Sequence, residues 1–172
     1  RQLREERHVD FVSVAIGGGP RLPELRANIS LNPLLKSTVL TLGMLDHNLT
    51  IRALAAADVL LLPSQNEGVS LAVYEAMALG VTPLVSAVGG QCELVDDGSG
   101  ACVPLDLAGA KAPADILQAA KPFVDELQHI LSSRELMSRR SRMARQRVES
   151  NFDIANTIHA LSFGLCDNGV VI

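Results

Sequence analysis

The chain has no tryptophan, a single tyrosine and four phenylalanines in 172 residues. That scarcity excludes a stacking platform for single-stranded nucleic acid, which needs successive aromatic faces. Positive charge is not in excess either. With a formal net charge of -4, no global basic field exists to hold a nucleic acid or an anionic membrane, so any anion site must be local. Three cysteines, Cys92, Cys102 and Cys166, are too few and too unevenly spaced for a disulfide framework, and no Cys-x-x-Cys pair suggests zinc. A reducing, cytoplasmic setting is the simple reading. Cys92 has no histidine near it in sequence and reads as a small packing residue rather than a nucleophile. The four histidines, at 8, 47, 129 and 159, show no ligand spacing, and His8 and His47 read as surface residues. No metal is expected. No apolar run approaches a membrane span and no signal sequence is visible at the start. The first residues, Arg1 to Arg7, read as a charged helical remnant of something longer.

What is present is a hydrophobic fraction of 48%, mostly Ala, Leu and Val, enough for one ordinary core and a single domain over residues 1–172. Strand-like runs lie at Val9 to Ile16, Ser37 to Leu42, Asp58 to Leu62, Val81 to Ser86 and Ala101 to Val103. Pro83 marks the fourth as short or near an edge. Between them, helical spacing appears at Leu22 to Ile29, in a helix capped by Asp46 or Asn48 and running through Ala57, and as a short turn at Gln91 to Val95. Regular alternation of this kind predicts an α/β fold, a Rossmann-like doubly wound parallel sheet with helices on both faces. From Pro104 to the end the chain reads as mainly helical. Asp106 to Lys121 is a loop or weak helix, Pro122 opens a helix through Leu131, Ser133 caps Arg134 to Glu149, and a final helix starts at Asn151-Phe152-Asp153 and runs to Leu161. Arg139, Arg140, Arg142, Arg145 and Arg147 form the only basic cluster, read as a solvated helix face ahead of a lipid or acidic-partner site.

The chemistry concentrates between Ser64 and Ala78. The apolar run Val59-Leu60-Leu61-Leu62 delivers a loop, Ser64-Gln65-Asn66-Glu67-Gly68, and the loop opens an alanine-rich helix that ends at Gly80. The N-H groups of Val69, Ser70 and Leu71 fall at the positive end of that helix, where an anion is welcome. Glu67 precedes the seat and Glu75 lies about one turn inside the helix. Open sheets bind ligands at the carboxyl ends of strands. Gly17, Gly43, Ser64 to Ser70 and Ala87 to Gly90 all fall at such ends. Gly17-Gly18-Gly19 lacks G-x-G-x-x-G spacing and reads first as a turn. Taken alone, Glu67 and Glu75 could be solvated acids, and Glu93 could merely cap its own short helix.

Leu62-Pro63-Ser64-x-x-Glu67-Gly68-x-x-Leu71-x-x-x-Glu75-Ala76-Met77-Ala78-x-Gly80-x-x-Pro83-x-Val85 resembles the donor-binding half of retaining GT-B glycosyltransferases of the family-4 type, with their Glu-x7-Glu signature. Gly17-Gly18-Gly19-Pro20 resembles that family's Gly-Asp-Gly-Pro turn, with Gly18 in the acid's place. Val88-Gly89-Gly90-x-x-Glu93-Leu94-Val95-x-Asp97-Gly98-x-Gly100 resembles its second loop, and Arg147-Val148-x-x-Asn151-Phe152 the helix end that closes the domain.

The resemblance implies a nucleotide-diphosphate sugar as donor and metal-independent transfer with retention. Glu67 would touch the donor sugar's hydroxyls and Glu75 the ribose hydroxyls. Gly68, Val69, Ser70 and Leu71 would offer N-H groups to the diphosphate, backbone at Met44 and Leu45 would meet the base, and Gly17 would sit at the glycine turn. It also implies that a first, central strand and its cationic loop are missing, together with the N-terminal domain that carries the acceptor site. The sheet is therefore expected to be interrupted between the Val9 and Asp58 strands, and the fragment to be inactive by itself. Peripheral membrane contact of the intact protein, at the cytoplasmic face, is compatible with the family. A degenerate domain that binds a nucleotide sugar or a protein without catalysis is the alternative.

Overall fold

The computed structural model describes residues 10–110 and 112–152. Five strands alternate with helices in the order β1 (Ser13–Ile16), α1 (Leu22–Leu31), α2 (Pro33–Thr38), β2 (Val39–Gly43), α3 (His47–Ala55), β3 (Val59–Leu62), α4 (Leu71–Ala78), β4 (Thr82–Ser86), α5 (Gln91–Leu94), β5 (Ala101–Val103), α6 (Pro113–Leu131) and α7 (Arg134–Asn151). All pairings are parallel. The strands form two sheets, β1-β2 and β3-β4-β5. No ladder joins the two sheets among the described residues, as expected for an interrupted sheet. Phe11, just ahead of β1, packs with Val59 of β3 against the core beneath α6.

The core follows from β4, whose five residues are all buried. A strand covered on both faces reads as a continuous apolar run. On one face Leu84 packs with Ala101 and Val103 of β5 and Phe123, Leu127 and Ile130 of α6. On the other, Val85 packs with Val73 and Met77 of α4, Leu94 and Val95, and Ala144 and Val148 of α7. Each of the Val, Leu, Ile, Phe and Met side chains among these contributes roughly 1.5–3 kcal/mol of burial. β4 is thus the central strand of its sheet, a correction to its reading as near-edge. The Thr82 N-H donates to Asp58 O at 3.1 Å, so the Pro83 nitrogen faces the other neighbour. There the ladder begins only at Leu84 opposite Ala101. Proline at this position therefore removes no ladder hydrogen bond.

Several boundaries also differ from expectation. Ser37 and Thr38 belong to α2, which Asn32 caps by accepting from the Leu34 and Leu35 N-H groups at 3.0 and 3.3 Å, with Pro33 in the first turn. β3 is only half-buried, and Leu61 is exposed. α6 starts at Pro113, and Pro122 lies inside it on the exposed side. The arginine face is not uniformly solvated: Arg140 is buried against Glu126 at 2.6 Å and Arg147 points into the fold. Asp46 caps α3 as expected, through the Leu49 N-H at 2.9 Å. Ser133 caps α7 through the Leu136 N-H at 3.2 Å. The helix expected from Asp153 to Leu161 lies outside the described residues. No described helix is long and apolar enough to cross a membrane.

Candidate functional site

The segment from β3 to β4 builds the centre of the site. Leu62 ends β3, and Ser64 opens a loop whose carboxylate, Glu67, accepts from Ser64 Oγ at 3.1 Å. Ser86, the last residue of β4, donates its hydroxyl to Ser64 O, so adjacent strand ends hold the loop base. Ser70 is the N-cap of α4, and its side chain makes no capping hydrogen bond. Val69 and Leu71 are exposed beside it, at 55% and 78%. The helix closes with Gly80 at φ +75°, where Val81 N-H bonds Ala76 O and Gly80 N-H bonds Met77 O. This is a Schellman ending, and it turns the chain directly into β4.

The second loop, after β4, lies against the first. Gly90 N-H donates to Gly68 O at 2.9 Å. Gly89 has φ +53°, and a Cβ there would stand 2.0 Å from Glu67 O. No other residue fits at that approach. Gly68, by contrast, has nothing within 4 Å of where its Cβ would be, so its outer side is open.

A second group of loops meets at β1 and β2. Gly17, at φ +130°, donates its N-H to Gly43 O at 2.8 Å. The Met44 side chain lies across Gly18, where a Cβ would be 2.6 Å from Met44 Cγ. Met44 is 75% exposed and Leu45 half-buried. His47 is exposed, as its reading as a surface residue expects, and it has one contact that the sequence does not reveal: its Nδ1 is 3.8 Å from Glu75 Oε1. The predicted residues thus fall into one cluster around Glu67 to Leu71 and one around Gly17 and Met44, with Glu75 beside His47.

The backing of the second loop was also not foreseen. Cys92, on α5, is disulfide-bonded to Cys102, on β5, ten residues away. This corrects the reading of Cys92 as a packing residue, and the reading of the cysteines as reduced thiols with it. Arg147, on α7, donates to Leu94 O at 2.7 Å, Glu93 O at 2.8 Å and Asp96 Oδ2 at 2.7 Å. Burial alone would raise the Asp96 pKa; hydrogen bonds from the Ser99 side chain and backbone, the Arg147 charge and the Gly98 N-H outweigh it, and the carboxyl titrates below its ordinary range. The Glu93 side chain is exposed on the same turn.

Parallel strands in two sheets, alternating with helices and with glycine-rich loops at the strand ends, define a Rossmann-like α/β domain of the GT-B kind. The sequence profile of Glycosyl transferases group 1 matches residues 1–125, and the chain belongs to that family. It is 34% identical over 113 residues to a glycogen synthase of Mycobacterium tuberculosis, a match covering 64% of this chain and 24% of the relative. The chain therefore spans about a quarter of the length of that relative. Among solved structures it superposes on the C-terminal domain of a group 1 family glycosyl transferase from Francisella tularensis with a TM-score of 0.67 at 23% identity, covering 89% of this chain and 74% of that one. It also superposes on an Anabaena protein, HepE, in complex with UDP and glucose, with a TM-score of 0.69 at 18% identity, covering 90% of this chain and 40% of that one.

Proposed function

We propose that this chain supplies the donor-binding half of a retaining, metal-independent, hexosyltransferase-type glycosyltransferase that takes a sugar from a nucleotide-diphosphate sugar. The observation that carries the reading is the arrangement of Glu67 and Glu75 on either side of the α4 start, at the carboxyl end of β3. A carboxylate accepts hydrogen bonds from two vicinal hydroxyls well. Glu67, steadied by Ser64, addresses the hydroxyls of the sugar, and Glu75 those of the ribose. The N-H groups from Gly68 to Leu71 face the diphosphate. As the bond between the anomeric carbon and the diphosphate oxygen breaks, charge grows on the leaving group, and the helix start stabilises it. The open side of Gly68 gives the phosphates access to backbone. Gly17 with the backbone of Met44 and Leu45 borders the base. The Anabaena neighbour, of the same fold, holds UDP and glucose, and this favours a uridine donor as the first to test. The acceptor is assigned to another domain of the intact enzyme, on the cytoplasmic side of a membrane or in the cytoplasm.

A non-catalytic binding domain is the second reading, and one observation favours it. Gly18 stands where the resemblance places an acid, and the Met44 side chain fills the space beside it, so this turn presents an apolar side chain and no carboxylate. Incubating the intact protein with UDP-, GDP- and ADP-linked sugars, and following release of the nucleoside diphosphate, separates the two. Release that depends on acceptor and is abolished by Glu67→Ala supports transfer; binding without release in any donor supports the second reading.

A further inference from the structure

The α5 turn is the part of the candidate site held by the most varied attachments. At its start, Gly90 N-H bonds Gly68 O. At its end, Arg147 takes the Glu93 and Leu94 carbonyls. Between these, Cys92 is bonded to Cys102 of β5. Cys102 pairs in register with Val85, one residue before the Ser86 that donates to Ser64 O. The two sulfurs therefore join the rim loop to β5, the neighbour of β4, and Ser86 at the end of β4 holds the base of the Glu67 loop. Their Cα atoms are 5.5 Å apart, within the span a disulfide bridges without backbone movement. Cys92 is exposed and Cys102 half-buried, which makes Cys92 the end of the bridge that faces solvent more.

We propose that Cys92 and Cys102 form a thiol-exchangeable clamp on the rim of the donor site, closed when oxidised and loosened when a glutathione-class thiol opens it. A thiolate attacks the accessible Cys92 sulfur. The Cys92–Cys102 bond breaks, Cys102 leaves as a thiolate and takes up a proton, and a mixed disulfide forms on Cys92. A second external thiolate attacks the outer sulfur of that mixed disulfide, which frees Cys92 as a thiol and yields one external disulfide. The cysteine pair gains two electrons and two protons. Once open, α5 keeps its Gly68 and Arg147 links but loses its tie to β5, and the 88–95 loop moves more freely. Because Gly89 lies directly on Glu67 O, that freedom passes to the Glu67 loop. The consequence for donor affinity rests on the donor-site reading above; the clamp itself does not.

The test uses the full chain equilibrated in glutathione redox buffers. Peptide-resolved alkylation reads the state of Cys92 and Cys102, amide hydrogen exchange reads 88–95 and 66–71, and titration with UDP reads the site. The expected result is that both cysteines become alkylated only after reduction and that exchange in 88–95 then rises at least tenfold. UDP affinity is expected to fall several-fold, and a Cys92→Ser, Cys102→Ser double variant should match the reduced protein in every buffer. Alkylation of both cysteines under fully oxidising glutathione, or unchanged exchange in 88–95 on reduction, overturns the clamp. A retained exchange difference with no binding of UDP, GDP or ADP in either state upholds the clamp and overturns the donor-site reading instead.

Discussion

Arg147 and Asp96 are joined at 2.7 Å across elements 51 residues apart, and the same guanidinium lies 5.6 Å over the Phe152 ring. Arginine's planar fork serves three oxygens at once, and lysine has no such geometry. Arg147→Lys is therefore not conservative here. Arg147→Ala removes three charge-assisted bonds, each worth about 1.5–3 kcal/mol, and a thermal melt should show a lower midpoint, by about 2–4 °C for each kcal/mol lost.

The same contact predicts a pH effect. The Asp96 carboxyl has a pKa lowered in the fold, so its contribution to stability is fully present above the unfolded value, near 3.9. It is lost as pH falls from there through the lower folded value. Asp96→Asn should flatten this part of the acid limb in melts below the unfolded carboxylate value, and leave the pH 6–8 range without a slope change.

Arg140 and Glu126 bridge α7 and α6 with side chains only 10% and 25% exposed. Glu126→Ala strands a buried cation, at a cost of about 3–5 kcal/mol, whereas replacing both partners by Met and Leu should be close to neutral. Chemical denaturation of the three variants checks the asymmetry.

Pro122 sits in the exposed interior of α6. Its missing N-H and the clash of its ring with the preceding turn cost a helix about 3 kcal/mol. Pro122→Ala should raise the thermal midpoint; an unchanged or lower midpoint would show that the rest of α6 has adapted to the proline.

Most of the strand-helix order was legible because β4, β5 and the Glu67-to-Gly80 stretch each carry their own signals: an apolar run, a loop acid before a helix start, a glycine after its end. α2 was missed although Asn32-Pro33 is a cap followed by a first-turn proline, because Ser37 to Leu42 also reads as β-branched and apolar. Pro83 misled for a different reason. Whether a proline costs a ladder bond depends on which neighbour its nitrogen faces, and sequence does not carry that. Arg140 and Arg147 looked like their solvated neighbours, since only the packing of α7 on α6 and on the α5 turn distinguishes them. His47 with Glu75, and Cys92 with Cys102, are contacts between elements that parallel crossovers bring together. Spacing along the chain has no bearing on either pair.

Gly89 gives the sharpest local test of the loop-on-loop geometry. Gly89→Ala places a Cβ on Glu67 O in a left-handed backbone region, at about 1–3 kcal/mol for the backbone alone. The expected outcome is a lower melting midpoint together with weaker nucleotide binding, while Gly68→Ala, which meets no neighbour, should impair binding and spare the midpoint.

The central claim is that Glu75 holds the nucleoside of a sugar nucleotide, and calorimetric titration of UDP, GDP and ADP into the protein and its Glu75→Ala variant tests it most directly. Losing hydrogen bonds to a charged acceptor is worth about 1.5–3 kcal/mol, so the preferred nucleotide should bind the variant about 10–100-fold more weakly, with the melting midpoint unchanged. Equal affinity of the two proteins for that nucleotide would contradict the account.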